Sequence, residues 1–155
     1  VQGARAAGPA DLPTLAGLAA DAVAELVPQR GGAMWARTVG RRPPFHEGLA
    51  HALDDPDVLV LCGTVDACVV GYAVARLEAI ADGASVAVID DIFTEPDARA
   101  VGVGEAMLEQ VLAWATERGA VGVDALVLPG SRATKNFFET FGLTARAIVV
   151  HRDLR

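Results

Sequence analysis

The chain has 155 residues, 52% of them apolar and 21% charged, with a formal net charge of −7. That size and balance favour one globular domain, residues 1–155, over a disordered chain. No apolar run reaches the roughly 20 residues of a membrane span, no signal peptide is recognisable, and the acidic charge argues against nucleic acid as the main partner.

Residues 3–7 read as a short strand. Gly8-Pro9 opens a helix with Leu12, Leu15, Leu18, Ala19 and Val23 at helical spacing, and Pro28 ends it. Residues 29–44 carry Arg30-Gly31-Gly32, Arg41-Arg42 and Pro43-Pro44, which predicts a loop with one turn of helix around Met34-Trp35. A second helix is predicted from Phe45 to Leu53, stopped by Asp54-Asp55-Pro56-Asp57. Val58–Val65 and Cys68–Leu77 flank Asp66-Ala67 as a hairpin. Asp82-Gly83 marks a further turn, and Ser85–Thr94 completes an antiparallel meander. A helix from Gly104 to Arg118 shows Met107, Leu108, Val111, Leu112 and Ala115 on one face, with Gly119 as its cap. Val121–Leu128 reads as a strand parallel to the third through a right-handed crossover. Pro129-Gly130 breaks it. A short helix over Ala133–Phe141, capped by Gly142, and a last strand over Ala145–Arg152 follow.

Cys62 and Cys68 sit in or beside apolar strands and read as buried thiols rather than a pair, which suits a cytoplasmic protein. His46, His51 and His151 have no spacing that holds a metal, so none is expected. There is no Gly-x-Ser-x-Gly elbow for hydrolase chemistry. Lys135 is the single lysine, and with heavy Ala and Gly use this suggests a GC-rich bacterial genome.

The third strand has a flaw in its period. Val86 and Val88 share one face, but further on the apolar positions fall at Ile89, Ile92 and Thr94. The slip lies at Asp90-Asp91, and a β-bulge absorbs such a slip, often beside an active site. Beyond the strand, a Pro turn leads to Arg99-x-x-Gly102-x-Gly104, where the second glycine opens the amphipathic helix. Such a junction turns backbone N–H groups toward one point, with the positive end of the helix dipole behind them, and suits a phosphate or pyrophosphate. A dinucleotide fingerprint would want Gly or Ala where Met107 stands, and a P-loop would want Gly-Lys-Ser/Thr.

The order of these motifs resembles the GNAT superfamily of N-acetyltransferases nearly end to end. Arg5–Leu12 is similar to that family's first strand and helix start. Ile89–Gly104 is similar to its acetyl-CoA motif, and Phe137-Phe138-Glu139-x-x-Gly142-Leu143 to its Phe-Tyr-Glu-x-x-Gly-Phe signature. The resemblance implies an α/β fold: a mixed, twisted sheet, antiparallel at first, with helices on both faces. It implies acetyl-CoA as acyl donor, its pantetheine arm along Ile92, Phe93 and Thr94. The pyrophosphate would rest on the backbone of Arg99, Ala100, Val101, Gly102, Val103, Gly104 and Glu105, with the Glu105 side chain turned away. Lys135 or Asn136 would reach the adenine end or the 3′-phosphate.

Two departures stand out. The tyrosine that protonates the leaving thiolate in many members is Phe138 here, and the usual upstream Asn and Ala are Ser131 and Thr134. Water, Ser131 or another group would then supply the proton, and a thiol with a pKa of about 8.5 leaves fairly well unassisted. Only one strand fits after Gly142, so part of the acceptor wall is expected from elsewhere, including a second subunit of a homodimer.

The expected activity is direct acetyl transfer from acetyl-CoA to a primary amine, small-molecule or peptide. Asp90 or Asp91 would orient the acceptor ammonium and take its proton, with Glu78 as a further candidate. Trp35, beside Met34, either lines the acceptor cleft or covers the core. A non-catalytic acyl-CoA sensor or scaffold, and a protein lysine or N-terminal acetyltransferase, remain alternatives.

Overall fold

A computed structural model describes the chain from Val1 to Arg155. In chain order it has β1 (Gln2–Ala6), α1 (Leu12–Leu26), α2 (Gly32–Thr38), α3 (Phe45–Asp54), β2 (Val58–Val65), β3 (Cys68–Ala79), β4 (Ser85–Thr94), α4 (Val103–Glu117), β5 (Val123–Ala125) and α5 (Arg132–Thr140). Single 3₁₀ turns at Pro9–Asp11 and Pro96–Ala98 lead into α1 and out of β4. The strands form one sheet in chain order, antiparallel from β1 to β4 and parallel between β4 and β5. No helix is long and apolar enough to cross a membrane.

Alternation along the strands divides the core in two. Val60, Cys62, Tyr72, Val74 and Phe93 face Leu12, Leu15, Leu18 and Ala19 of α1 and Leu49 of α3. Leu61, Ala73, Ala75 and Ile89 face Val103, Met107, Leu108 and Val111 of α4, with Phe138 of α5. Successive residues thus serve opposite layers, as a sheet covered on both faces requires. The start of α1 is held by Asp11, whose carboxylate accepts from the Gly8 N–H at 2.8 Å and from the Arg5 guanidinium at 2.8 Å. These donors, Arg5 first, hold the Asp11 carboxyl well below the usual range. The β2–β3 hairpin turns on Asp66 and Ala67, both at positive φ, as a two-residue hairpin loop demands.

Two glycines set how closely α4 lies on the sheet. Gly63 and Gly71 are cross-strand partners on β2 and β3. A Cβ on Gly63 would fall 2.5 Å from Val103 Cγ1 and 2.9 Å from Met107 Sδ, and one on Gly71 would fall 2.6 Å from the Phe93 carbonyl oxygen. The pair forms a shallow trough for the first turns of α4. Gly71→Ala is therefore expected to destabilise the protein by about 1–3 kcal/mol through overpacking. Urea titration checks this; an unchanged midpoint would mean that the trough is not filled as described.

The structure corrects four expectations. The predicted turn around Met34-Trp35 is a helix of 7 residues, α2. The strand expected over Val121–Leu128 is only Val123–Ala125, because β4 bends away beyond its bulge and leaves nothing to pair with. Ala145–Arg152 forms no strand; Ile148, Val149 and Val150 are 84%, 85% and 89% exposed. Cys62 is buried as expected, its thiol pushed up to about 11, first by burial and then by the Asp11 charge, but Cys68, at the hairpin end, is exposed.

Candidate active site

The bulge in β4 is present and organises the site. Val74 pairs with Asp91 and Ala75 with Ile89, so Asp90 is the extra residue. Upstream of it β4 pairs with β5 through Ala87, Val88 and Ile89. Downstream, no backbone hydrogen bond joins residues 90–94 to the segment after β5. The two strands splay. The Glu95 N–H donates to the Val70 carbonyl on the β3 side. By alternation the backbone of Phe93 also faces β3, while that of Ile92 and Thr94 faces the splay. Of the three residues expected to offer backbone to the donor, Phe93 turns its backbone to β3 and its ring to the α1 layer, while Ile92 and Thr94 direct theirs into the splay, where the Thr94 carbonyl accepts from Arg99 Nε.

The splay runs toward the loop before α4. There Ala100 and Gly102 take left-handed conformations, φ 67° and 89°. Gly102 is the N-cap of α4 and its carbonyl accepts from the Ala106 N–H. The N–H groups of residues 100–105 have no acceptor within the protein. These orphan donors, with the helix dipole behind them, form a cradle for an anion. Glu105 is exposed at its rim.

The side chain of Arg99 does not point into this cradle. Its guanidinium grips the Glu25 carboxylate at 2.8 and 2.7 Å, its Nε donates to the Thr94 carbonyl at 2.9 Å, and it stacks 5.4 Å from the Phe93 ring centre. Arg99 thereby ties the loop to the end of α1. The two glycines also differ in role. Gly102 has the positive φ that only glycine adopts freely. Gly104 does not: a Cβ there would lie 3.3 Å from the Phe137 ring, so its bareness serves the packing of α5.

At the inner end of the splay, Asp90 and Asp91 line one cleft of about 330 Å³ with Val39, Arg41 and Arg76. Asp91 is fully engaged. Its two oxygens accept from Arg41 Nε and Nη2 at 2.8 Å each, and Oδ2 also accepts from the Tyr72 hydroxyl at 2.8 Å. Burial first, then the Asp91 charge, pushes the Tyr72 phenol far above its ordinary range, so it remains a donor. This ion pair pins the segment after α2 to the bulge. Asp90 is freer: it meets Arg76 Nε at 3.0 Å, and Arg76 also serves Glu78 at 2.8 Å. Burial raises the Asp90 pKa, the Arg76 charge opposes this, and the Asp91 charge adds to it.

The remaining candidates lie apart from this cleft. Phe138 is buried against the α4 layer. The Ser131 hydroxyl donates to the Gln29 side-chain carbonyl. Lys135 and Asn136 are exposed on the first turns of α5. Trp35 folds back on Gly40 and does not line this cleft, so of its two expected placements the cleft-lining one falls away; Val39 and Arg41 line it instead. Sequence reasoning missed Arg41, Tyr72 and Arg76. Arg41 and Asp91 are fifty positions apart, and no local pattern joins them.

A splayed β4–β5 edge leading to an anion cradle at the start of a helix defines an acyl-CoA-type transferase fold. The chain matches the Acetyltransferase (GNAT) family over residues 22–143 and belongs to it. Among solved structures it is similar to a mutant of the BH1408 protein from Bacillus halodurans, with TM-score 0.82 and 16% identity over 98% of this chain and 99% of that one. It is similar to AAC(6')-Iy in complex with the bisubstrate analogue CoA-S-monomethyl-acetylneamine, with TM-score 0.75 and 18% identity over 100% and 99%. It is also similar to the ribosomal-protein-alanine N-acetyltransferase of Brucella melitensis biovar Abortus 2308, with TM-score 0.71 and 18% identity over 100% and 99%. At these identities the likeness speaks for the fold. A search of curated protein sequences gives no match.

Proposed function

We propose that the protein transfers the acetyl group of acetyl-CoA directly to a primary amine. The observation that carries this reading is the splay between β4 and β5: unbonded N–H groups of residues 100–105 beyond its outer end, the backbone of Ile92 and the N–H of Thr94 along it, and the Asp90 carboxylate in the cleft at the bulge. When bound, acetyl-CoA supplies an activated thioester. The chain's part is to orient it and to place an amine beside it. The N–H groups of residues 100–105 hold the pyrophosphate, and the backbone of Ile92 with the N–H of Thr94 holds the pantetheine amides. An N–H group of that stretch of β4 polarises the thioester carbonyl. The structure of AAC(6')-Iy, which holds a CoA bisubstrate analogue, supports a CoA ligand for this fold.

Of the two aspartates, Asp90 is assigned to the acceptor. Asp91 has no oxygen without a partner, and its work is to hold Arg41 and Tyr72. An ammonium with a free pKa of about 10.4 must lose a proton before it attacks. Asp90, with its pKa raised, draws the cation in and accepts that proton directly or through water. Attack is direct, because the cleft holds no activated nucleophile. With Phe138 buried and Ser131 bonded to Gln29, the thiolate takes its proton from water.

Phe138 also favours a second reading, a binding module without catalysis, since its ring has no proton to give. Release of CoA thiol, measured with a panel of small amines, lysine peptides and peptides with free N-termini, separates the two. Turnover on at least one amine is expected. Tight CoA binding with no thiol release from any of them would establish the module.

A further inference from the structure

Two arginine–aspartate pairs line the cleft at the bulge, and they are built differently. Consecutive strand residues ordinarily point to opposite faces, but the extra residue in β4 brings Asp90 and Asp91 into one cleft. Asp91 receives two separate N–H groups of Arg41, each at 2.8 Å, and the Tyr72 hydroxyl. Asp90 receives one: its two oxygens share the single Nε–H of Arg76, at 3.2 and 3.0 Å. The closer bond of Arg76 runs the other way, from Nη1 to Glu78 at 2.8 Å. Arg76 and Glu78 stand two residues apart on β3, on the face that carries Tyr72 and Val74, so their side chains meet without any bend in the strand. The Arg76 guanidinium is raised above its ordinary range first by the Glu78 hydrogen bond; burial opposes this, and the Asp90 charge adds to it.

We propose that Glu78 is a positioning residue for Asp90: by holding Arg76, it stops the guanidinium from closing on Asp90 with two bonds and leaves that carboxylate open to a cation. An arginine with one carboxylate in reach takes it through two parallel N–H bonds, as Arg41 takes Asp91, because these suit the planar fork. With Glu78 in place the fork of Arg76 is divided between two acids and grips neither in that way. The other charges around Asp90 are Asp91 beside it on β4 and Arg41 from the segment after α2, which are engaged with each other. Around Glu78 they are Arg76 and the charge of Arg146, itself bonded to Asp124. Two guanidiniums thus serve three carboxylates, and the acid left with the weakest grip is Asp90. The bearing of this on acetylation rests on the reading of Asp90 as the acceptor's base. An arriving ammonium then meets an open carboxylate, and Arg76 keeps Glu78 as its partner.

The test is carbon-13 NMR titration of the Asp90 carboxyl in the unsubstituted chain, in Glu78→Gln, in Arg76→Gln and in the double variant. Both side chains are about half-exposed, so circular dichroism should show all four proteins folded. The proton affinity of Asp90 should fall about tenfold in Glu78→Gln and rise in Arg76→Gln. Adding Glu78→Gln to Arg76→Gln should change it far less, since Glu78 then has no guanidinium to hold. An equal fall with and without Arg76 would overturn the proposal, because Glu78 would be acting by its own charge. No fall in Glu78→Gln would overturn it as well. Kinetics tests the reading beneath it. KM for the small amine with the highest turnover in the panel above should rise about tenfold in Glu78→Gln, with CoA affinity unmoved. The expected titrations with an unmoved KM would keep Glu78 in its positioning role and take the acceptor away from Asp90.

Discussion

Gly102→Asp should weaken CoA binding by about 100-fold or more while leaving the protein folded. Three effects add. A residue other than glycine held at φ 89° costs on the order of 1–3 kcal/mol of strain. Relief of that strain rotates the N–H groups on either side out of the cradle. The new carboxylate then stands where the structure gathers donors for an anion, and like charges at close range repel strongly in a partly desolvated site. A Cβ at 102 meets only the flexible side chain of Gln2, at 3.2 Å, so the fold itself has room for it. Gly104→Ala is the control. Its Cβ presses on Phe137, so it should lower the melting temperature more than the CoA affinity. Calorimetric titration of CoA into each variant checks both. An unchanged CoA affinity in folded Gly102→Asp would remove the pyrophosphate from this loop.

Asp90→Asn should lower the acetylation rate by about 100-fold near neutral pH, the loss expected for a missing general base. The substitution keeps shape and removes the charge. CoA affinity should hardly change, because the donor contacts proposed above are backbone groups. The defect should narrow as pH rises, since free amine then becomes abundant without help. Stability moves the other way. The Asp90 pKa is raised on folding, so between its unfolded and folded values the native state binds more protons. Stability contributed at this position is therefore lost as pH rises through that window, and the ionised form is the less comfortable one. Asn should accordingly leave the melting temperature at neutral pH equal or higher. Paired rate and melting profiles from roughly pH 6 to 9 decide the matter. Full activity in Asp90→Asn at every pH would mean that the acceptor's proton leaves by another route.

Much of this site was legible in the order of residues. The slip in apolar period at Asp90-Asp91 predicted the bulge, because side-chain alternation is a strict consequence of strand geometry. The two glycines at 102 and 104 marked the loop before α4, and the apolar stripe from Met107 to Ala115 announced the helix behind it; that Gly102 alone is left-handed came only with the structure. The lengths of α4 and α5 came out within a residue or so for the same reason. What sequence could not carry was long-range pairing. Nothing near Arg41 says that it will hold Asp91, and nothing near Arg99 says that Glu25 will take its charge. β5 was overestimated because its apolar residues satisfy a strand pattern while the bulge in β4 removes its partner. The segment Ala145–Arg152 was read as a strand on sound propensity; within one chain no edge receives it.

The Arg99–Glu25 pair changes the character of the anion cradle. A loop that offered a bare guanidinium would hold its ligand by net charge, and small ions would compete for it at every increase in salt. Here the arginine is already paired with Glu25 of α1, and what would face the proposed ligand is a row of peptide N–H dipoles aimed at short range. Such a grip depends on shape and direction rather than on ionic atmosphere, so the loop should hold on to pyrophosphate almost as well in strong buffer as in weak.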